Sequence, residues 1–328
     1  MMKILASIFI ILNYLLNLSL KIISLIKKKE HIKNNVLSKT GFIISFLAFL
    51  LMVYGILYGR LDYRVRYETI YLPNLPSSFE GLKIGQISDI HTGSFFRNRE
   101  ILKGVKLLLE DKPDIIFFTG DLVNFHSSEA LKFKKSLSMI KAPMGVFSIL
   151  GNHDYGDYTA WKTPKDKADD LNNLINFQKN IGWNLLIDEN RILTRNNQSI
   201  AILGIQNWSA ISRFPKRGIL AKAHYGIEKI PVKLLLSHDP TNWDAQVRKN
   251  YKDIDIMFSG HTHAFQAGIE FGNFKWSPCQ YLYNEWDGLY KKGNQYLMIN
   301  RGFGYIGFPG RIGMPPIISI ITLRKGKH

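Results

Sequence analysis

Acidic residues and cysteine are scarce in this chain. A single cysteine, Cys279, excludes an internal disulfide and says little about compartment. Only 26 Asp and Glu stand against 43 Lys and Arg, for a formal charge of +17. No internal repeat and no low-complexity segment interrupts the 328 residues, which leaves one large domain or two modest ones. Long apolar runs are also missing after residue 58, whereas residues 4–26 and 41–58 are largely apolar. The second run has no charge and meets the roughly 17–25 residues that a membrane crossing needs. The first contains Asn13, Asn17 and Lys21, and Lys21 lies near enough to an end to snorkel.

Two spans are the reading these runs support. A cleaved signal peptide competes for residues 1–26, but the apolar run is long for that and no A-x-A-like site precedes the lysines. A buried helical hairpin is the remaining alternative. The expected organisation is a membrane anchor of two transmembrane helices over 1–60, a linker over 61–81 and a catalytic domain over 82–328.

The positive charge resembles a nucleic-acid binder's until it is divided. Lys3, Lys21, Lys27, Lys28, Lys29, Lys33, Lys39 and Arg60 face only Glu30 within residues 1–60. That excess suits the anionic head groups of a membrane. Later lysines, such as Lys132, Lys134 and Lys135, are dispersed like a solvated surface, which argues against nucleic acid as a partner. Five lysines between the apolar runs outnumber Lys3, Arg60, Arg64 and Arg66 on the other side. This bias places the loop in the cytoplasm and the catalytic domain outside it, in a multi-pass protein of the cell membrane.

After Pro73 and Pro76 the pattern alternates between strands and helices. Strands are expected at Leu82–Ser88, Asp114–Phe118, Gly145–Leu150, Trp183–Ile187, Arg191–Arg195, Ile200–Gly204, Val232–Leu236, Asp255–Phe258, Gln295–Asn300 and Pro316–Leu323. Helices are expected at Asn98–Leu109, Ser128–Ile140, Asp166–Gly182 and near Asn242–Asn250. Asn196-Asn197 suits a hairpin turn. Such alternation gives the α/β class, with two sheets packed face to face and helices outside.

Polar clusters sit where these strands should end, which is where α/β sheets place ligand sites. They are Asp89-Ile90-His91, Gly120-Asp121, Gly151-Asn152-His153-Asp154, His238 and Gly260-His261-Thr262-His263. In extended chain, side chains two residues apart point the same way, so Asp89 with His91, and His261 with His263, can each reach one ion. Imidazole, carboxylate and amide together suit divalent first-row metals. Any one of these histidines alone would more often be an ordinary core or surface residue. The five clusters in order are much harder to explain that way.

Their order and spacing resemble the signature of the calcineurin-like metallophosphoesterase superfamily, over roughly residues 80–323. The resemblance implies a four-layer α/β/β/α sandwich and two divalent metals, manganese favoured over iron, zinc or magnesium. By motif position, Asp89, His91 and His263 would hold the first metal. Asn152, His238 and His261 would hold the second, with Asp121 bridging. A bridging water would attack phosphorus. His153 would supply a proton to the leaving group, and Asp154 would orient the His153 ring.

Arg301-Gly302-Phe303-Gly304 through Gly307, Pro309, Arg311, Gly313, Pro315 and Pro316 is similar to the ending of a bacterial membrane-anchored branch. Arg301 or Arg311 could fork onto a phosphate or form a structural salt bridge. That branch includes enzymes similar to UDP-diacylglucosamine pyrophosphatases, which makes a phosphodiester or pyrophosphate substrate, lipid-linked or from the envelope, the expected partner. The branch commonly continues Gly-Gly-Gln after the last histidine, whereas this chain has Ala264-Phe265-Gln266, so a relative's substrate does not transfer directly. Trp276, Tyr281, Tyr283, Trp286 and Tyr290, and separately Trp208, could touch substrate or lipid or merely fill an insert. The rival readings are a nuclease, a general small-molecule phosphodiesterase and a non-catalytic interaction module of the same fold.

Overall fold

The computed structural model describes residues 35–272 and 274–326. Two compact units divide the chain, residues 1–57 and 58–328. In the first unit, helix α1 (Asn35–Leu57) presents Phe42, Leu47, Phe49 and Leu51 to its surroundings. The stretch Thr40–Leu61 is the one helical span among the described residues long and apolar enough to cross a membrane. The other expected span, 4–26, lies outside the described residues.

The second unit is built on two six-stranded sheets. In chain order the first elements are β1 (Arg64–Leu72), β2 (Lys83–Ile87), α2 (Asn98–Glu110), β3 (Ile115–Phe118), β4 (Val146–Ser148), α3 (Pro164–Asn180) and β5 (Trp183–Leu185). There follow β6 (Glu189–Arg195), β7 (Gln198–Gly204), β8 (Lys233–Leu236) and β9 (Ile256–Ser259). The chain then forms β10 (Ile269–Phe271), β11 (Phe274–Trp276), β12 (Gly288–Lys292), β13 (Gln295–Ile299) and β14 (Ile317–Lys325). The first sheet has the order β1-β14-β2-β3-β4-β5 and the second β12-β13-β9-β8-β7-β6. β10 and β11 form a separate antiparallel hairpin.

Strands buried on both faces read as continuous apolar runs. On β3, Ile115 and Phe117 face the core between the sheets, while Ile116 and Phe118 face an outer core. β8 divides in the same way, with Leu234 and Leu236 between the sheets and Leu235 outside. Ile101, Val105 and Leu108 of α2 recur at helical spacing and close the outer core of the first sheet. Thr163 caps α3 by accepting the Asp166 N–H, and Pro164 occupies the first turn, where its missing donor costs nothing. Asn196 and Asn197 both take positive φ, the geometry of a tight hairpin turn between β6 and β7.

Two expectations are corrected. Residues 61–81, read as a linker, contain β1, which pairs in parallel with β14 from Arg64↔Ile317 to Leu72↔Lys325. The helix expected over Ser128–Ile140 is two short ones, Ser128–Leu131 and Lys134–Leu137, because Phe133 leaves helical geometry to bury its ring. The helix expected near Asn242–Asn250 does form, with a wide π-type turn over Trp243–Val247 leading into Arg248–Asn250.

Candidate metal centre

β2, β3 and β4 lie side by side and parallel in the first sheet, as do β8 and β9 in the second. The expected ligands leave their carboxyl ends and meet. Asp89, His91, Asp121, His261 and His263 all have φ between +50° and +70°, the left-handed region. Each such residue costs on the order of 1–2 kcal/mol, a strain that functional sites tolerate. The left-handed turns swing each side chain over the end of its strand. Two glycines make the close approach possible. A Cβ on Gly260 would lie 1.9 Å from Ser88 Oγ and 2.2 Å from Asp89 Oδ2, and one on Gly120 would lie 2.6 Å from the Gly151 nitrogen.

Ligand atoms of Asp89, His91 and His263 fall within 4.8 Å of one another, and so do those of Asp121, His238 and His261. His263 Nε2 stands 3.3 Å from Asp89 Oδ1 and 3.1 Å from His91 Nε2. Asp121 Oδ2 lies 3.2 Å from His238 Nε2 and 3.6 Å from His91 Nε2, so one carboxylate stands between the two groups. Asn152 is buried, and its Oδ1 has no hydrogen-bond partner among the described residues, while its Nδ2 donates to Tyr158 Oη at 2.9 Å. A buried carbonyl oxygen without a partner is costly, and a cation would satisfy it. The imidazole, carboxylate and amide donors therefore fit divalent metals.

Charge at the site points the same way. Burial pushes the Asp121 carboxyl up, but the His238, His153 and His91 imidazoles outweigh it and hold it well below its ordinary range. Burial alone would lower His238, yet the Asp121 carboxylate raises it to about 10. Burial dominates at His91 and lowers it to about 3. Two buried carboxylates thus draw positive charge onto the site, the electrostatic demand that a bound cation meets.

His153 lies beside this cluster. Its backbone N–H donates to Asp121 Oδ1 at 2.8 Å, and its Nδ1 pairs with the Asn124 carbonyl at 2.9 Å. With Nδ1–H given to that carbonyl, Nε2 is the nitrogen left for substrate. Asp154 does not orient this ring, which corrects the expectation. Its buried carboxylate accepts backbone N–H groups from Gly151, Asp121, Leu122 and Val123, at 2.8–3.2 Å. Burial and the Asp121 charge push the Asp154 carboxyl up to about 7, while the N–H donors pull the other way. None of those donors can accept a carboxyl proton, so the ionised form is the one that fits.

Both arginines are structural. Buried Arg301 pairs with Glu270 at 2.8 Å and Asp287 at 3.1 Å. Arg311 is fully enclosed and donates to the carbonyls of Gly304, Arg301, Gly302, His263 and Met314. Burial lowers it to about 9. Of the aromatics, Tyr283 and Trp286 pack with Ala264, Cys279 and Met314, and Trp208 pads the outer core of the second sheet.

Several residues at the site carried no signal in the motifs. Asp239 Oδ2 lies 3.3 Å from His261 Nε2, Tyr283 Oη lies 3.0 Å from the same nitrogen, and Phe214 meets the ring edge-on. Asp239 directly follows His238, and a carboxylate beside a metal-ligating imidazole is the usual partner that fixes its tautomer. The Ala264-Phe265-Gln266 departure places side chains in a strained turn. Residues 263–266 all take positive φ, a geometry that glycine adopts without strain. Gln266 anchors the turn, its Nε2 donating to the Phe308 and Gly310 carbonyls and its Oε1 accepting from Ile306.

Residues 82–265 match the family model described as calcineurin-like phosphoesterase. The Bacillus subtilis protein YkuE, an uncharacterized metallophosphoesterase, is 28% identical over 79% of this chain and 84% of its own length. A zebrafish (Danio rerio) transmembrane protein with metallophosphoesterase domain is 28% identical over 84% of this chain, which spans only 60% of that protein. The Chlamydia trachomatis UDP-2,3-diacylglucosamine pyrophosphatase LpxG is 26% identical over 70% of this chain and 81% of its own.

Proposed function

The chain belongs to the calcineurin-like phosphoesterase family, and from that premise we propose a membrane-anchored hydrolase with a binuclear metal centre. It cleaves a phosphodiester or pyrophosphate bond, on a lipid-linked or envelope substrate. The apolar span Thr40–Leu61 and the naming of the zebrafish relative as a transmembrane protein support the anchor. The Chlamydia relative's name supports a lipid-linked pyrophosphate. Lysines 27–39 support a cytoplasmic loop with the catalytic domain on the other side.

The observation that carries the reading is Asp121, whose Oδ2 lies within 3.6 Å of a ligand atom from each group. Asp89, His91 and His263 would hold one ion, Asn152, His238 and His261 the other, with Asp121 between them. The chemistry such a pair would supply when bound, manganese favoured over iron, zinc or magnesium, is polarisation of a phosphoryl group and a lowered pKa for a bound water. The protein's own share is positional. Left-handed turns fix the ligands, Asp154 ties the loops after β3 and β4 together, and Tyr283 Oη pairs with the His261 ring, 3.3 Å from which the Asp239 carboxylate stands. His153 donates a proton from Nε2 to the departing oxygen, its other nitrogen fixed by the Asn124 carbonyl.

The test is metal content and turnover of bis-p-nitrophenyl phosphate by the full chain with manganese supplied. Two ions per wild-type chain are expected, with fewer ions and little turnover in Asp121→Asn. A metal-loaded Asp121→Asn protein that hydrolyses as fast as wild type would end the reading. Lipid extracts and nucleotide-sugar pyrophosphates, followed by phosphate release, then identify the substrate.

A further inference from the structure

The β10–β11 hairpin has its polarity reversed. Its register pairs Ile269 with Trp276, Glu270 with Lys275 and Phe271 with Phe274, so the apolar residues share one face and the charged pair the other. The charged face is turned inward. Glu270 binds Arg301 at 2.8 Å, and Lys275 binds Asp287 at 3.2 Å. The apolar face is turned outward, with Ile269 56%, Phe271 84% and Phe274 60% exposed. Tyr281 and Leu282, just beyond, are exposed as well. Single exposed apolar side chains are ordinary, but a ribbon held by ion pairs with its aromatic face outward needs an apolar partner.

Connectivity says which partner. β14 runs antiparallel to β2 and β1 runs parallel to β14, so β1 begins beside the carboxyl end of β2, where Asp89 and His91 stand. Arg64 N–H donates to the Pro316 carbonyl at 3.0 Å, and Arg60 reaches Tyr305 at 2.5 Å. Arg66 joins the hairpin's ionic base, 2.8 Å from Asp287. The chain that leaves the apolar span therefore joins the catalytic unit at the edge where the metal ligands open. Only residues 58–63, which include the short turn Gly59–Leu61, lie between α1 and β1 in the chain. The turn bearing His263 leads straight into the hairpin, whose base is fixed by Gly268 N–H to the Ile312 carbonyl and by Ser277 Oγ to the Ala264 carbonyl.

We propose that the outward face of the β10–β11 hairpin inserts into the lipid interface and holds the metal centre against the bilayer surface. This deepens the membrane-anchor reading above and rests on it. The substrate such a placement serves carries its scissile phosphate in the head-group layer. An apolar face rich in Phe buries at the boundary between head groups and acyl chains, and the hairpin's ion pairs keep its charged side out of it.

The experiment uses the full chain in vesicles of phosphatidylcholine and phosphatidylglycerol. Nitroxide labels at Phe271→Cys and Phe274→Cys are compared with Tyr225→Cys, an 80% exposed residue on the β7–β8 connection. Buried Cys279 provides the unlabelled background. Labels at 271 and 274 should collide several-fold more with oxygen than with a water-soluble nickel chelate, and the label at 225 should do the opposite. A chain that floats with the vesicles but shows 271 and 274 as open to the chelate as 225 overturns the proposal alone. A chain that fails to float overturns the anchor with it. Strong spin–spin broadening at 271 overturns the proposal in favour of a second copy covering the face. Turnover of bis-p-nitrophenyl phosphate by the labelled chains reports the phosphoesterase reading separately.

Discussion

Removing the Asp154 carboxylate tests whether this residue is a scaffold or a partner of His153. Four backbone N–H groups end on it, from the loops that carry Asp121 and Asn152. A buried donor left without an acceptor costs about 1–3 kcal/mol. Water entering the space of the lost carboxylate would recover part of that, so Asp154→Ala should cost about 4–6 kcal/mol. That is a large share of the roughly 5–15 kcal/mol that holds a domain together. At about 2–4 °C per kcal/mol for a unit of this size, thermal unfolding should move down by about 10–20 °C. Asp154→Asn keeps one oxygen but aims an NH2 at other donors, and should fall about halfway. The assay is tryptophan fluorescence on heating the full chain in detergent, with metal content measured in parallel. Metal should be lost together with stability, since Asp121 N–H and Gly151 N–H are among the four donors. An Asp154→Asn protein with wild-type unfolding temperature and metal content, but slow turnover, would refute the scaffold account and restore the ring-orienting role.

His153→Ala should keep its metal and lose about 10²–10⁴ in kcat on alkyl phosphodiesters. The loss should be much smaller for nitrophenyl leaving groups, which depart without a proton, and equal losses on both would count against proton donation. Asp239→Asn should weaken metal binding about 10–100-fold in chelator competition, because His261 loses the carboxylate 3.3 Å away, and unchanged affinity would remove Asp239 from the site. At Asp287, burial raises the carboxyl but Arg66 and Arg301 outweigh it and depress it to about 2. A depressed carboxyl stabilises the fold above its unfolded value near 4 and loses that contribution as pH falls through 2. Asp287→Asn should therefore unfold about 2–3 kcal/mol more easily at pH 7, a gap that closes between pH 4 and 2 in denaturant titrations. A gap independent of pH would show that the ion pairs are not its source.

The interior strands were legible because β3, β8 and β9 are buried on both faces and so are almost wholly apolar, Lys233 and Ser259 at their ends excepted. The ligands were legible because open α/β sheets put chemistry at strand ends, and Asp89, Asp121, Asn152, His238 and His261 all stand there. β1 was half legible. Tyr63, Val65 and Tyr67 alternate in the sequence, but the partner β14 lies some 250 residues later, so nothing local announces the pairing that makes this stretch part of the sheet. The Ser128–Ile140 break was hidden, since Phe133 departs from the helix only to reach a core made by distant residues. Asp154 misled for a related reason. Adjacency to His153 says nothing about which way a carboxylate turns, and the four donors that capture it belong to loops the sequence keeps apart. The hairpin's inverted polarity could be read only once Arg66, Asp287 and Arg301 were seen beneath it.

Pairing of β1 with β14 also bears on how the protein is made. A ribosome delivers residues 64–72 long before residues 317–325 exist, so the earlier segment must wait, unpaired, through most of synthesis. During that interval β2 lacks its neighbour as well, because β14 covers the flank of β2 opposite β3. Translation halted ahead of Ile317 would leave an open edge ready to join any passing strand, a product better removed by a protease than retained.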